Sequence, residues 1–207
     1  MTLNPTDFCA SSDVREYLQT PFNLLGHTIA TNNHIMLVSP IDDQYPQLAM
    51  AGIGRESFVE TLKKHLKSIQ GAHYTPPPPV IYPDKKDCPE CQATGKASIT
   101  TCVECQGQGE IDLETEYNTY NVSCLSCYGE GEFITLINDS KDCPRCQGAG
   151  QRYPAHSTAN IRNLSIAVNY LQMIINAPGL QVAIDKDKQC LFFKTGNQSG
   201  AIMGVGE

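Results

Sequence analysis

Apolar and polar positions along this chain follow more than one rhythm, and each rhythm predicts a different element. Phe58, Leu62, Leu66 and Ile69 recur at helical spacing, with Lys63, Lys64 and Lys67 on the opposite face. Ser57 with Glu60 reads as a capping box at the start of that helix, and Gly71 as its stop. Upstream, Asp13 with Glu16 predicts a short helix over residues 13–19. Residues 27–30 and 35–38 flank Thr31-Asn32-Asn33 and predict a hairpin, since Asn tolerates the positive φ of tight turns. Near the other end, Ile161, Leu164, Val168, Leu171 and Ile175 form a stripe that predicts a long helix ended by Pro178-Gly179. Three strand-like runs follow, at 180–184, 189–194 and 201–205, joined by turn-like residues 185–188 and 195–200.

The middle of the chain breaks both rhythms. Residues 84–153 hold eight of the ten cysteines and much of the glycine. Within them, residues 110–122 read as a hairpin arm carrying Ile111, Leu113, Tyr117, Tyr120 and Val122. These apolar positions either pack on one another or on the rest of the protein, or bind an extended peptide by strand addition. Pro76 to Pro79 mark the first junction as a stiff extended spacer, and Tyr153-Pro154 the second. Each outer segment has few apolar positions with which to close a core. The organisation expected is an α+β host split in sequence, 1–83 plus 154–207, with a cysteine module inserted over 84–153. Three independent pieces are the alternative.

Composition narrows the class. The 207 residues are 41% hydrophobic with no Trp, and the formal charge is −7. Residues 84–153 carry twelve Asp/Glu against six Lys/Arg, and the flanks are near neutral. Such a balance disfavours nucleic-acid contact through the cysteine-rich part and leaves it open only for the flanks. No stretch has the ~18 apolar residues of a membrane helix, and no basic segment leads into an apolar run. A cytoplasmic protein without membrane contact is expected. In that reducing setting, cysteines at fixed spacing favour metal over disulfides.

The eight cysteines form four pairs: Cys88-Pro89-Glu90-Cys91, Cys102-Val103-Glu104-Cys105, Cys124-Leu125-Ser126-Cys127 and Cys143-Pro144-Arg145-Cys146. Two intervening residues let both sulfurs of a knuckle reach one ion, and two knuckles complete a tetrahedral four-thiolate zinc site. Eight cysteines therefore make two closed, structural sites. Glycines follow at a second fixed spacing: Gly107 and Gly109, Gly129 and Gly131, Gly148 and Gly150, with Ala93 and Gly95 as the weaker first copy. They supply positive φ and leave room for backbone N–H groups to approach sulfur.

This C-x-x-C-x-G-x-G repeat resembles the cysteine-rich domain of DnaJ-type chaperones, over about a third of the chain. The resemblance implies an extended, V-shaped, β-hairpin-rich module. It also implies that the outer pairs share one zinc (Cys88, Cys91, Cys143, Cys146) and the inner pairs the other (Cys102, Cys105, Cys124, Cys127). Ala93 departs from the family pattern and touches the first knuckle's geometry, not its ligands. No His-Pro-Asp tripeptide and no glycine/phenylalanine-rich linker occur in these residues, so J-domain activity is not implied.

The flanks resemble one repeat of a DNA sliding-clamp domain through residues 26–34, the helix-and-three-strand ending and Gly200 to Val205. Asn32-Asn33 departs from that family's turn. This likeness implies self-association or a lost DNA role, since one unit cannot encircle DNA.

No nucleophile elbow, phosphate loop or zincin helix is present, and Gly52-Ile53-Gly54 is too short for a nucleotide loop. No catalytic residue is nominated. His65 sits among apolar positions as a core-boundary residue, and Cys9 and Cys190 read as ordinary thiols. The function expected is a non-enzymatic zinc protein that contacts a protein or peptide partner, chaperone-like or as a regulatory adaptor. Two alternatives stand beside it: a phage- or replication-type DNA accessory protein with a clamp-like host, and a thiol–disulfide oxidoreductase.

Overall fold

The computed structural model describes residues 2–11, 13, 15–49, 55–135 and 141–205. Gly52-Ile53-Gly54 lies outside the described residues. The chain falls into two compact units, one of residues 1–83 and 156–207, the other of 84–155. Its early part gives β1 (Phe22–Leu24), β2 (His27–Thr31), β3 (Ile35–Pro40) and helix α1 (Arg55–Gly71). The cysteine-rich part gives β4 (Lys86–Asp87), β5 (Lys96–Thr101), β6 (Glu110–Glu114), β7 (Thr119–Ser123), β8 (Glu132–Thr135), β9 (Lys141–Asp142) and β10 (Gln151–Arg152). The end gives β11 (Thr158–Ile161), β12 (Leu164–Ala167), helix α2 (Val168–Ile174), β13 (Gln181–Asp185), β14 (Cys190–Thr195) and β15 (Gln198–Met203). The class is α+β, dominated by antiparallel strands.

The first unit is built on a six-stranded sheet ordered β1-β2-β3-β15-β14-β13. The β3–β15 ladder, with Leu37 opposite Gly200 and Ile35 opposite Ile202, joins the start of the chain to its end. Gly200 is required there, because a Cβ would lie 2.1 Å from the Met36 carbonyl oxygen. β3 and β14 are buried at nearly every position, so both sheet faces are covered. On one face Val59, Leu62, Leu66 and Ile69 of α1 pack with Phe22, Ile29, Met36, Val38, Phe192 and Ala201. Alternation turns Phe193 to the other face, where it stacks on Phe8 at 6.4 Å.

Buried polar groups in this unit are bonded. The Gln198 side-chain oxygen accepts from the Leu3 N–H (2.8 Å), and its amide nitrogen donates to the Leu3 carbonyl (2.8 Å) and Ser39 Oγ (3.1 Å). Asn23 donates to the Asp42 and Tyr45 carbonyls and accepts from the Thr28 hydroxyl. Both sheet edges carry a one-residue strap: Gln47 pairs with Asn23 on β1, and Thr75 with Val182 on β13. The proline run therefore ends pinned to the sheet by Thr75. Its far end is also tied, since Ile81 and Asn160 exchange backbone hydrogen bonds of 3.0 and 2.9 Å.

Several local expectations are corrected. Residues 13–19 do not make an α-helix; a 3-10 turn spans Glu16–Leu18, and the Asp13 carboxylate accepts from Arg15 instead. Ser57 and Glu60 are not a capping box, because α1 already includes Arg55 and Glu56, and Glu60 pairs with Lys63. The long helix from Ile161 fails most clearly. Thr158–Ile161 and Leu164–Ala167 pair as a hairpin, and only Val168–Ile174 is helical. Ile161, Leu164 and Ile166 are buried while Asn160 and Ser165 are not, a strand period that a helical stripe can imitate over a few residues. Arg162 (φ 48°) and Asn163 (φ 71°) form the turn, with positive φ at both centres. The last strand starts earlier than the run 201–205 suggested, because the turn needs only Gly196 (φ 55°) and Asn197 before Gln198 pairs with Thr195.

No helix among the described residues is long and apolar enough to cross a membrane. Ile202 sits fully buried on the strand that joins the two ends of the chain. Ile202→Ala is expected to destabilise the first unit by about 3 kcal/mol, from lost burial and an unfilled cavity. Urea unfolding followed by far-UV circular dichroism measures this, and a loss below about 1 kcal/mol would contradict the packing described.

Candidate metal centres

Each Cys-x-x-Cys segment folds as the same knuckle. The N–H five residues after the first cysteine returns to that cysteine's carbonyl: Ala93 to Cys88, Gly107 to Cys102, Gly129 to Cys124 and Gly148 to Cys143, at 3.0 to 3.3 Å. The fold-back uses two consecutive residues of positive φ. These are Gln92 and Ala93, Gln106 and Gly107, Tyr128 and Gly129, and Gln147 and Gly148. Ala93 adopts φ 65° at the position its three counterparts fill with glycine. Its backbone follows the common path, with the strain of an L side chain in the left-handed region.

The second glycine of each repeat has a different and stricter role. A Cβ on Gly95 would lie 2.2 Å from the Gly148 carbonyl oxygen, on Gly109 2.3 Å from that of Gly129, on Gly131 2.4 Å from that of Gly107, and on Gly150 2.3 Å from that of Ala93. Knuckles thus interlock backbone to backbone, first with fourth and second with third. Reciprocal hydrogen bonds complete each pair, all at 2.8 Å: Cys88 N–H to Gly150 and Cys143 N–H to Gly95, then Cys102 N–H to Gly131 and Cys124 N–H to Gly109. This explains why alanine is accommodated at 93, whereas all four second positions are glycine. The sequence showed the two spacings, but not that one set answers φ and the other answers contact.

The interlock brings the eight sulfurs into two groups. Cys88, Cys91, Cys143 and Cys146 lie together, and so do Cys102, Cys105, Cys124 and Cys127, with the ligand atoms of each group within 4.8 Å of one another. Facing sulfurs are 4.0 Å (Cys88–Cys143), 3.6 Å (Cys91–Cys146), 3.9 Å (Cys102–Cys124) and 3.7 Å (Cys105–Cys127) apart. A tetrahedral ion about 2.3 Å from each sulfur sets the sulfurs ~3.8 Å apart, which is the separation found. Two four-cysteine groups of this size fit two zinc ions. All eight cysteines are buried, so no coordination position faces water.

Backbone amides neutralise part of the charge such a centre concentrates. Gly109 N–H points at Cys105 Sγ (3.2 Å), Gly131 N–H at Cys127 Sγ (3.2 Å) and Gly150 N–H at Cys146 Sγ (3.3 Å). Burial opposes ionisation at Cys105, but the Gly109 N–H and neighbouring thiols outweigh it and bring the thiol down to about 7. At Cys88, burial dominates and pushes the thiol up to about 12. In the outer group Cys88 is raised while Cys91 is lowered, and in the inner group Cys124 is raised while Cys105 is lowered. Each site thus mixes thiols of opposite tendency, and binding a dication is what lets all four ionise together. The Glu90 carboxylate lies 3.2 Å from Cys88 Sγ and is held by Arg152 at 3.0 Å, tying the first knuckle to β10.

Cys9 and Cys190 stand outside both groups. Burial raises them to about 11 and about 12, so both remain thiols at neutral pH. His65 is half-buried in α1, and burial lowers its pKa. Neither it nor any other histidine joins a cysteine group among the described residues.

The chain is 34% identical over 95 residues to the chaperone protein DnaJ of Wolbachia sp. subsp. Brugia malayi, covering 44% of this chain and 22% of that protein. The DnaJ chaperones of Protochlamydia amoebophila (33% over 67 residues) and Acholeplasma laidlawii (34% over 101 residues) match 31% and 45% of this chain, and 16% and 25% of their own lengths. The chain thus spans about a quarter or less of the curated relatives it matches. No family profile and no solved structure matches. The likeness and the two four-cysteine groups together fit a DnaJ-type cysteine-rich zinc domain.

The two glycine roles separate experimentally. Gly129→Ala meets only ordinary contact, 3.7 Å from Ser123, and is expected to cost about 1 kcal/mol through its φ of 86°. Gly131→Ala drives a Cβ into the Gly107 carbonyl and is expected to open the inner site. Zinc per chain, measured by atomic emission after dialysis against a mild chelator, should stay near two for Gly129→Ala and fall toward one for Gly131→Ala. Equal retention would show that the backbone interlock does not govern the site.

Proposed function

We propose that this chain is a non-enzymatic zinc protein whose cysteine-rich module contacts a protein or peptide partner. The module is read as an insertion into an α+β host made of residues 1–83 and 156–207. One zinc is assigned to Cys88, Cys91, Cys143 and Cys146, the other to Cys102, Cys105, Cys124 and Cys127. The relatives are chaperone proteins by name, which supports a protein partner in general. It does not by itself assign co-chaperone activity, since the matched part is a fraction of those proteins.

The observation that carries the reading is the β6–β7 hairpin. Cross-strand pairing places Ile111 opposite Val122 and Leu113 opposite Tyr120, so all four share one face. Ile111 packs on the inner cysteine group and anchors that face. Leu113 and Tyr120 remain 50% and 52% exposed, and Tyr117 near the turn 83%. Two knuckle tips, Val103 and Leu125, are exposed as well. Apolar side chains held outward on a metal-stiffened hairpin suit contact with an apolar, extended segment. Such a module buries little of its own apolar surface, so zinc supplies most of its folding free energy.

The oxidoreductase reading is disfavoured by the burial of all eight thiols, because closed zinc sites leave no exposed thiolate to attack a disulfide. The clamp-like reading is also disfavoured. One-residue backbone straps from the same chain occupy part of each sheet edge, at Asn23 on β1 and at Val182 on β13, which leaves little continuous edge for pairing between subunits.

Binding of labelled, reduced and carboxymethylated α-lactalbumin tests the proposal. Leu113→Ser with Tyr120→Ser is expected to weaken it about tenfold, equivalent to ~1.4 kcal/mol, with two zinc retained. Unchanged binding in that variant, or insulin reduction by the zinc-loaded protein, would overturn the reading. Chelation is expected to abolish the near-native amide dispersion of residues 84–155 and leave that of the rest intact, as recorded by heteronuclear NMR.

A further inference from the structure

The first unit contains an open groove of about 850 Å³ between the C-terminal end of α1 and the outer edge of β13. Its floor is a partly used strand edge. Thr75 pairs with Val182 through both backbone groups, at 2.9 and 2.8 Å, so the N–H and C=O of Val182 point away from β14. Alternation along the strand points the N–H and C=O of Ile184 the same way. Among the described residues neither group has a hydrogen-bond partner. An unpaired edge of this kind is a template for an added strand. The Thr75 strap takes up the edge at Val182 and β13 ends at Asp185, so an occupant pairs with Ile184 alone, beside His73 of the antiparallel segment that leads into the strap.

The walls indicate what chemistry suits the slot. Lys67 comes from α1, Arg162 from the β11–β12 turn, and Lys186, Asp187 and Lys188 from the β13–β14 turn. Lys188 is engaged, with its ammonium 3.0 Å from Asp185 and 3.0 Å from Ser68 Oγ, which ties that turn to α1. Lys67, Arg162 and Lys186 have no ion-pair partner among the described residues, and Asp187 is the remaining carboxylate on the walls. In a protein of net charge −7, this is a local basic surface beside a free backbone edge. Pairing with a second copy through the same edge would bring like charges together.

We propose that this groove binds an extended peptide segment bearing acidic side chains, which pairs with the backbone of Ile184 while Lys67, Arg162 and Lys186 receive its carboxylates. The site belongs to the first unit and does not depend on the function assigned to the zinc module.

Fluorescence anisotropy of a labelled Glu-Val-Glu-Val-Glu-Val peptide with the full zinc-loaded chain tests it. A lysine counterpart peptide and a labelled single-stranded oligonucleotide serve as comparison probes. Saturable binding of the acidic peptide is expected, at least about tenfold tighter than the lysine peptide and weakened about tenfold by Lys67→Glu with Lys186→Glu. Amide exchange at Ile184 is expected to slow on binding. Ile184→Pro, which removes an outward N–H and no bond to β14, is expected to weaken binding as well. Equal binding of both peptides, tighter binding of the oligonucleotide, unchanged affinity in the charge variant, or Ile184 protection through dimerisation without peptide would each overturn the proposal. Should Ile184→Pro fail to fold, the charge variant and the Ile184 exchange rate decide.

Discussion

The nested pairing of the four knuckles is the constraint on which the cysteine-rich unit depends. Joining first to fourth and second to third forces the chain out and back along itself, and the short ladders of that unit follow from this course. Between the two groups, β5 pairs with β8 and β9. Beyond the inner group, β6 and β7 run on as a free hairpin. Ahead of the outer group, β4 pairs with β10. Strands of two to six residues without a continuous apolar core cannot offset their ordering entropy. Sulfur–metal bonds, worth about 10–16 kcal/mol in small zinc modules, can.

The same nesting leaves the two ends of the unit side by side. In the first unit, the Ile81–Asn160 bridge also holds the departing and returning chain together. A long segment between residues 81 and 160 therefore closes a gap that both units already span with backbone hydrogen bonds. Loop-closure entropy rises only slowly with length, so a segment of this size between ends fixed in this way costs little more to close than a shorter one. Sequential pairing, first with second and third with fourth, would not bring the ends together.

Chemistry and shape are divided between the two glycine sets. The first glycine in each repeat relieves backbone strain and admits Ala93 at a modest cost. The second admits no side chain, because its neighbour is a carbonyl of the partner knuckle, and its N–H is aimed at sulfur at Gly109, Gly131 and Gly150. Structural economy at the metal leaves the hairpin's outward face free of any packing duty, so Leu113, Tyr117 and Tyr120 remain exposed.

The cysteine module was legible in the sequence because its information is local: four pairs at one spacing, followed by glycines at another, encode ligands and turns within eight residues each. The α1 face and the Asn32-Asn33 hairpin were legible for the same reason. Other features needed the tertiary structure. Ile161, Leu164 and Val168 satisfy a helical period, and only sheet packing with a positive-φ turn at Arg162-Asn163 makes strands of the first two. Ser57 and Glu60 match a capping box, yet the helix already runs through Arg55 and Glu56. The distinct role of the second glycines, the Thr75 strap and the open edge at Ile184 all arise from contacts between residues far apart in the chain. Spacing along a chain reports which groups can meet one ion or turn one corner. Which backbones come to lie against each other is decided by packing alone.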